Sequence, residues 1–139
     1  MNQLKALFHV ATAIALIGWL AIIVLPNWSH TTMVTLNMVA ALAVLYLYLL
    51  FVKIPGIEKT RGSFSSLGGV IALFKSPKVM LAGWVHFLAF DLMVALYIRA
   101  DAPAHGIQHL WLIPIYLLTL MFGPAGLLAY FGLRLALSA

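Results

Sequence analysis

The apolar stretch LKALFHVATAIALIGWLAIIVL, residues 4–25, decides the fold class of this 139-residue chain. It contains 22 residues with a single charge, at Lys5, and Pro26 follows it. A helix of this length, rising about 1.5 Å per residue, crosses the roughly 30 Å hydrocarbon core of a bilayer. The stretch is also longer than the roughly 7–15-residue core of a secretory signal peptide. It therefore predicts a first membrane span that is retained in the protein.

Three more apolar runs of similar length follow, at residues 32–54, 79–98 and 110–133. Residues 64–74 are apolar as well but too short to span, which predicts an interfacial or re-entrant helix between the second and third spans. The chain is 65% hydrophobic and 8% charged, whereas a soluble domain is about half apolar and a quarter charged. The sequence predicts an all-α membrane protein, with one domain of four transmembrane helices over residues 1–139.

The basic residues predict the orientation of these spans. The segment between the second and third spans carries five of the eight, namely Lys53, Lys59, Arg61, Lys75 and Lys78. With an even number of spans, Lys5 and Arg134 lie on that same side, and only Arg99 lies on the other. The positive-inside rule then places both termini in the cytoplasm. No organellar targeting segment is visible, so we expect a bacterial inner membrane, and basic residues dispersed among spans exclude a nucleic-acid partner.

Asp91 is the strongest candidate for a functional residue, because it lies near the middle of the predicted third span. A carboxylate at the membrane centre costs at least about 2.5–3.5 kcal/mol. Two interpretations are open. Asp91 lines a polar cavity and binds a ligand or transfers protons, or it pairs with an Arg, His, Asn or Thr of a neighbouring span and locks the bundle. His86 lies five residues earlier, about 140° around an ideal helix, so a direct His–Asp pair on one face is not expected.

The histidines are the other titratable groups of interest. His86 is either a ligand or proton carrier, or a half-buried side chain bonded to a backbone carbonyl. His105 and His109 are four residues apart, a spacing that suits a metal site on a helix. Gly106 interrupts that pattern, and the extended motif of a metalloprotease is missing. No metal site is therefore predicted. The chain has no cysteine, which excludes thiolate ligands and nucleophiles, and the sequence leaves the cofactor unknown.

One set of residues in the second half of the chain has a specific order: Trp84-x-His86-x-x-x-Phe90-Asp91, Gly106-Ile107-x-His109, Pro114, Thr119 and Gly123-Pro124-x-Gly126. This order resembles the abscisic-acid-deficiency-type membrane family, and the likeness extends over nearly the whole chain. Plant members of that family are associated with neoxanthin formation from violaxanthin. The resemblance implies a carotenoid-like isoprenoid ligand and a reaction that opens an epoxide and removes a proton elsewhere.

If this chemistry applies, Asp91 is the expected acid or base, and His86 or His109 is the expected second proton carrier. The expected lining of the ligand site consists of Trp84, Phe87, Phe90, Pro114 and Thr119. The same aromatic side chains would also suit ordinary packing or contact with lipid.

Three functions remain open on the sequence. The first is an isomerase that acts on an isoprenoid inside the bilayer. The second is a non-catalytic membrane subunit that binds lipid or pigment or supports a partner complex. The third is a proton or ion pathway through Asp91, His86 and Arg99, for which the other spans supply few polar residues. The expected partners are membrane lipid, an isoprenoid or carotenoid ligand, and either a second copy of the chain or another membrane protein.

Overall fold

A computed structural model of the chain describes residues 1–55 and 61–138. These residues form helices and connecting turns and contain no strand, so the all-α prediction is confirmed for the part described. The helices are α1 (Asn2–Val24), α2 (Thr31–Phe51), α3 (Leu67–Phe74), α4 (Pro77–Asp101), α5 (His109–Met121) and α6 (Gly123–Ser138), with a 3-10 turn at Ala102–His105 after α4.

α1 and α2 are joined by a tight turn at Pro26. The Leu25 amide donates to the Ala21 carbonyl at 3.1 Å and closes α1. The Thr31 hydroxyl, at the first position of α2, donates to the Leu25 carbonyl. Proline has no amide hydrogen to continue a helix, and Thr31 satisfies a carbonyl that the end of α1 leaves free. The turn therefore ends the first predicted span and starts the second close to the predicted boundaries.

α3 is the short helix expected between the second and third spans. Its first turn is capped by the Ser66 hydroxyl, which accepts a hydrogen bond from the Gly69 amide at 3.1 Å. The prediction of a helix within residues 64–74 is thus confirmed, with a later start at Leu67. The preceding polar segment contains Glu58 and Lys59, which lie outside the described residues.

α4 is the central helix of the bundle and packs against α1, α2, α5 and α6. Val85, Leu92 and Ile98 are fully buried along it. Gly18 of α1 lies so close that a Cβ atom there would be 3.0 Å from a Leu92 methyl group. Small residues at such contacts let helices approach closely, which matters in a membrane because lipid is as apolar as the packed side chains.

One end of the bundle, called here the Lys5 end, is where α1 and α4 begin and α2 ends. Lys5 borders the same cavity as Pro77, the first residue of α4. The ammonium group of Lys78 donates to the Val52 carbonyl at 2.7 Å, just beyond α2.

The opposite end, called here the Asp101 end, is where α1 and α4 end and α2 begins. Arg99 links the three helices there. Its guanidinium donates to the Pro26 carbonyl at 2.8 Å and to the Thr32 hydroxyl at 2.6 Å.

The last two helices fold back on each other. A Cβ atom at Gly126 would lie 2.6 Å from the Cα atom of Thr119. In a continuous helix, residues seven positions apart are separated by about 10 Å along the axis. The chain therefore turns at Phe122, and α6 runs back beside α5 as the second arm of a helical hairpin.

The second arm returns to the Asp101 end. The Tyr130 hydroxyl donates to Asp101 Oδ2 at 2.6 Å, and Arg134 Nη1 donates to the same oxygen at 3.0 Å. Tyr97 of α4 packs its ring against Tyr130 and Phe131, with centroids 6.3 and 6.2 Å apart.

The prediction of a fourth continuous span over residues 110–133 is therefore wrong. Three helices in the described residues are long and apolar enough to cross a membrane, namely Asn2–Val24, Thr31–Phe51 and Pro77–His105. The fourth apolar run is instead divided into α5 and α6, because the turn at Gly123 lets the two halves pack against each other. The described residues thus contain three candidate membrane spans and a helical hairpin, as expected of a multi-pass membrane protein.

This arrangement also removes the basis for placing both termini on one side. That prediction depended on an even number of spans. In the structure, Lys5 and Arg134 lie at opposite ends of α4.

Candidate functional site

Asp91 faces the turn of the α5–α6 hairpin. Its half-buried side chain projects from α4 towards Gly123, the first residue of α6. The contact is so close that a side chain at Gly123 would overlap Oδ1 of the carboxylate. The first turn of a helix presents free amide groups and a partial positive charge, which favour a nearby carboxylate. Glycine at this position therefore lets the carboxylate reach the beginning of α6.

No hydrogen bond or ion pair joins the Asp91 carboxylate to another residue in the described ranges 1–55 and 61–138. The structure thus gives no support to the interpretation in which Asp91 locks the bundle by pairing with an Arg, His, Asn or Thr of a neighbouring span. The prediction that Asp91 binds a ligand or transfers protons stays open.

The hairpin turn beside Asp91 is apolar and open to the surroundings of the bundle. Met121 and Phe122 are 69% and 63% exposed. Pro124, the second residue of α6, is also exposed and has no amide hydrogen to donate. An apolar molecule in the bilayer can therefore approach the carboxylate from the side of the hairpin turn.

His86 lies on a different face of α4 from Asp91. Its ring is stacked on Phe90, with centroids 4.5 Å apart, and lies 5.8 Å from the ring of Tyr46 in α2. The rotation of about 140° inferred from the sequence agrees with this placement. His86 and Phe90 form an exposed aromatic cluster with α2, away from the hairpin turn.

His109 is also separated from Asp91. Its Nε2 lies 3.0 Å from the Ile23 carbonyl oxygen at the Asp101 end. His109 begins α5 and is twelve residues, or about 18 Å of helix, from Met121 at the hairpin turn. The structure therefore does not bring His86 or His109 to Asp91 as a second proton carrier.

Trp84 and Phe87 line an apolar groove near the Lys5 end. The groove has a volume of about 390 Å³ and lies between α1, α3 and α4. Phe8 of α1 stacks on Trp84 with centroids 6.1 Å apart, and Phe74 of α3 forms part of the other wall.

The groove leads along α4 towards Asp91. Met80, Trp84 and Phe87 line it and precede Asp91 by eleven, seven and four residues. At 100° per residue, each of these three positions lies within about 40° of Asp91 on the helix surface. One stripe of α4 thus carries the apolar lining and, about 10 Å beyond Trp84, the carboxylate.

Pro114 and Thr119 do not reach the groove and belong to α5. Pro114 is exposed inside that helix. Thr119 is buried, its hydroxyl donates to the Ile115 carbonyl at 2.8 Å, and its backbone contacts Gly126. Thr119 therefore helps to close the hairpin whose turn contacts Asp91.

The cluster around Asp101 was missed by the sequence analysis. Asp101 accepts from Tyr130 and Arg134, and Nδ1 of His105 lies 3.4 Å from the same carboxylate oxygen. His105 and His109 therefore have different partners, and in the described part of the chain no three His, Cys, Asp or Glu side chains form a group that could hold a metal. The one sequence signal for this cluster is the Gly123-Pro124 pair, which can reverse an apolar run and so bring Arg134 back to Asp101.

Comparison with known proteins gives one match. The model of the family described as ABA DEFICIENT 4-like matches residues 6–130, which extends from the first span into α6. No match was found among curated proteins or among solved structures.

Proposed function

The chain belongs to the ABA DEFICIENT 4-like family, and on this basis we propose that it binds a carotenoid-like isoprenoid in the bilayer and performs acid–base chemistry on it at Asp91. The resemblance inferred from the motif order is thereby confirmed. The observation that carries the proposal is the Asp91 carboxylate, which has no bonding partner among the described residues, contacts Gly123 at the hairpin turn and lies four residues beyond Phe87 of the apolar groove.

The groove suits one end of a long apolar molecule. Its lining is formed by aromatic and aliphatic side chains of α1, α3 and α4, and Met80, Trp84 and Phe87 are exposed on the outside of the bundle. An isoprenoid chain in this groove follows the Met80–Phe87 stripe and brings its end group to Asp91. The substrate enters sideways from lipid, so that the reaction proceeds away from bulk water.

Asp91 alone can carry both proton transfers of an isomerisation. As a carboxylic acid it donates a proton to the epoxide oxygen, and the C–O bond breaks. The carboxylate that results then takes a proton from a neighbouring carbon, and the electron pair of that C–H bond forms the new double bond. No proton is gained or lost overall, which explains how the site can act without His86 or His109.

The proposal is tested by comparing Asp91→Asn with His86→Ala in membranes supplied with an epoxycarotenoid. We expect Asp91→Asn to lower the isomerisation rate at least about 100-fold, the usual contribution of a positioned acid or base. His86→Ala leaves the rate within a factor of about two, because His86 lies on another face of α4. Products are measured by chromatography, and helix content and monodispersity in detergent confirm that both variants fold. Equal rates in Asp91→Asn and the parent protein would refute acid–base chemistry at this residue.

A second candidate function is a non-catalytic subunit that binds a pigment or lipid. The separation of both histidines from Asp91 favours it, since no second titratable side chain in residues 1–55 and 61–138 bonds to the carboxylate. In that case the purified protein carries an isoprenoid, Asp91→Asn retains it, and neither protein converts it. The absorption spectrum and lipid extract of the two preparations distinguish the two functions.

We place the protein in a bacterial inner membrane with the Lys5 end in the cytoplasm. Lys5, Lys53 and Lys78 lie at or near that end, while Arg99 and Arg134 lie near the Asp101 end, where Arg134 pairs with Asp101. The positive-inside rule then favours a cytoplasmic N-terminus. The α5–α6 hairpin enters from the opposite side, and its C-terminal end remains there.

A further inference from the structure

The apolar groove has a basic rim at the Lys5 end. A smaller cavity of about 190 Å³ adjoins it and shares Phe8, Pro77 and Leu81 with it. Lys5 and His9 border this smaller cavity, and both are exposed. The two cavities together form a path with an apolar floor and a cationic mouth.

The charge at this mouth is not neutralised by the described residues. No side chain in residues 1–55 or 61–138 bonds to the Lys5 ammonium group, whereas Lys78 is engaged with the Val52 carbonyl. Of the chain's three acidic residues, Asp91 lies deeper along α4, Asp101 lies at the opposite end and Glu58 is outside the described residues. The mouth therefore attracts an anion.

We propose that the groove binds an isoprenoid lipid with a phosphate head group, with the phosphate at Lys5 and the chain along Phe8, Trp84 and Phe87. This inference rests on the proposed binding of an isoprenoid in the groove and adds a second ligand class to it, because an epoxycarotenoid carries no phosphate. The phosphate lies at the interface, where an exposed lysine holds it as a compact point charge. The chain runs inwards along the stripe of α4 that ends at Asp91.

The shape of the site favours an isoprenoid chain over an ordinary phospholipid. The groove holds about 390 Å³, and aromatic rings of α1, α3 and α4 form much of its wall. We expect this volume to take one chain, so that a phospholipid must place its second chain elsewhere. Branched, unsaturated chains also pack well against the faces of Phe8 and Trp84.

The test uses the full chain in vesicles of phosphatidylcholine with brominated acyl chains, which quench tryptophan on contact. Subtracting the signal of Trp84→Phe isolates the fluorescence of Trp84. We expect undecaprenyl phosphate to displace brominated chains and restore this signal at about tenfold lower mole fraction than undecaprenol, which lacks only the phosphate. Lys5→Gln removes the tenfold difference. Lys53→Gln, a matched change of a lysine that borders neither cavity, retains it.

The outcomes separate this inference from the proposed function. If undecaprenol and its phosphate act at equal mole fractions, the head-group inference is overturned while the isoprenoid groove stands. If phosphatidylglycerol restores the signal as effectively as undecaprenyl phosphate, the site is a general one for anionic lipid and the inference is overturned. If neither isoprenoid restores the Trp84 signal, the groove does not bind polyprenyl chains and the inference is overturned, while the proposed action on an epoxycarotenoid is judged by the turnover assay. The turnover assay with Asp91→Asn is read independently of all three.

Discussion

The position of the Asp91 carboxylate depends on glycine at residue 123, which has no side chain. The carboxylate occupies space that any residue other than glycine would fill. Because the colliding atom is the end of a flexible side chain, a substitution at Gly123 can be accommodated by rotation of Asp91. The fold would survive such a change, but the carboxylate would leave the beginning of α6.

The glycines of α6 should therefore respond differently to alanine. Gly126→Ala overlaps the backbone of Thr119, which cannot move aside, so we expect a loss of about 1–3 kcal/mol in the free energy of unfolding. Gly132→Ala meets nothing within 4 Å and should be neutral or gain up to about 1 kcal/mol from helix propensity. Thermal unfolding in detergent, followed by circular dichroism, measures both. Similar stabilities for the two variants would contradict the close contact between α5 and α6.

At the same scale, the sequence was informative about Asp91 and His86 for different reasons. The depth of Asp91 follows from its position in an apolar run, and the separation of His86 follows from helix geometry. The approach of Gly123 to Asp91 could not be predicted, since it depends on a turn between two helices. His109 was assigned to the site only by family resemblance, and the structure places it near Ile23 instead.

At the scale of elements, the α5–α6 hairpin is held at its open end by Asp101. Tyr130 is completely buried and donates to the Asp101 carboxylate at 2.6 Å. Hydrogen bonds to a charged group are shorter and stronger than those between neutral groups. This contact holds the returning helix α6 at the Asp101 end, whereas a continuous fourth helix would have carried these residues to the opposite end of the bundle.

Tyr130→Phe removes this hydrogen bond and keeps the ring. We expect it to lower the free energy of unfolding by about 1–2 kcal/mol, with Arg134 retaining part of the interaction with Asp101. Tyr97→Phe is the matched control, because its ring contacts Tyr130 and Phe131 and no hydrogen bond of its hydroxyl is seen within the described residues. Chemical unfolding in mixed micelles compares the two. If Tyr97→Phe proves as damaging as Tyr130→Phe, ring packing rather than the hydrogen bond closes the hairpin.

The helices could be predicted from the sequence better than their arrangement. Three helices were predicted close to their observed limits, because their long apolar runs are bounded by Pro26 and by the polar middle segment. The run at residues 110–133 is just as apolar, and a Gly-Pro pair in a membrane helix also occurs at a simple kink. Whether such a pair kinks or reverses the chain depends on contacts such as Thr119 with Gly126, which hydropathy does not contain.

At the scale of the whole molecule, the hairpin determines both topology and access to the site. Three spans and a hairpin entering from the Asp101 end place the turn at Phe122 at the depth of Asp91. They also leave α6 ending at the same side as the turn between α1 and α2. A fourth complete span would instead carry Gly123 past Asp91 and bring Arg134 to the side of Lys5.

The chain contains no cysteine, so single cysteines can report this topology without background. The most direct test introduces Gln3→Cys, Asn27→Cys or Leu137→Cys, all at exposed positions, and measures labelling by a membrane-impermeant maleimide in sealed, oriented vesicles. We predict that positions 27 and 137 label from the same side of the membrane and position 3 from the other. Labelling of position 137 together with position 3 would contradict the hairpin and, with it, the placement of Asp91 at its turn.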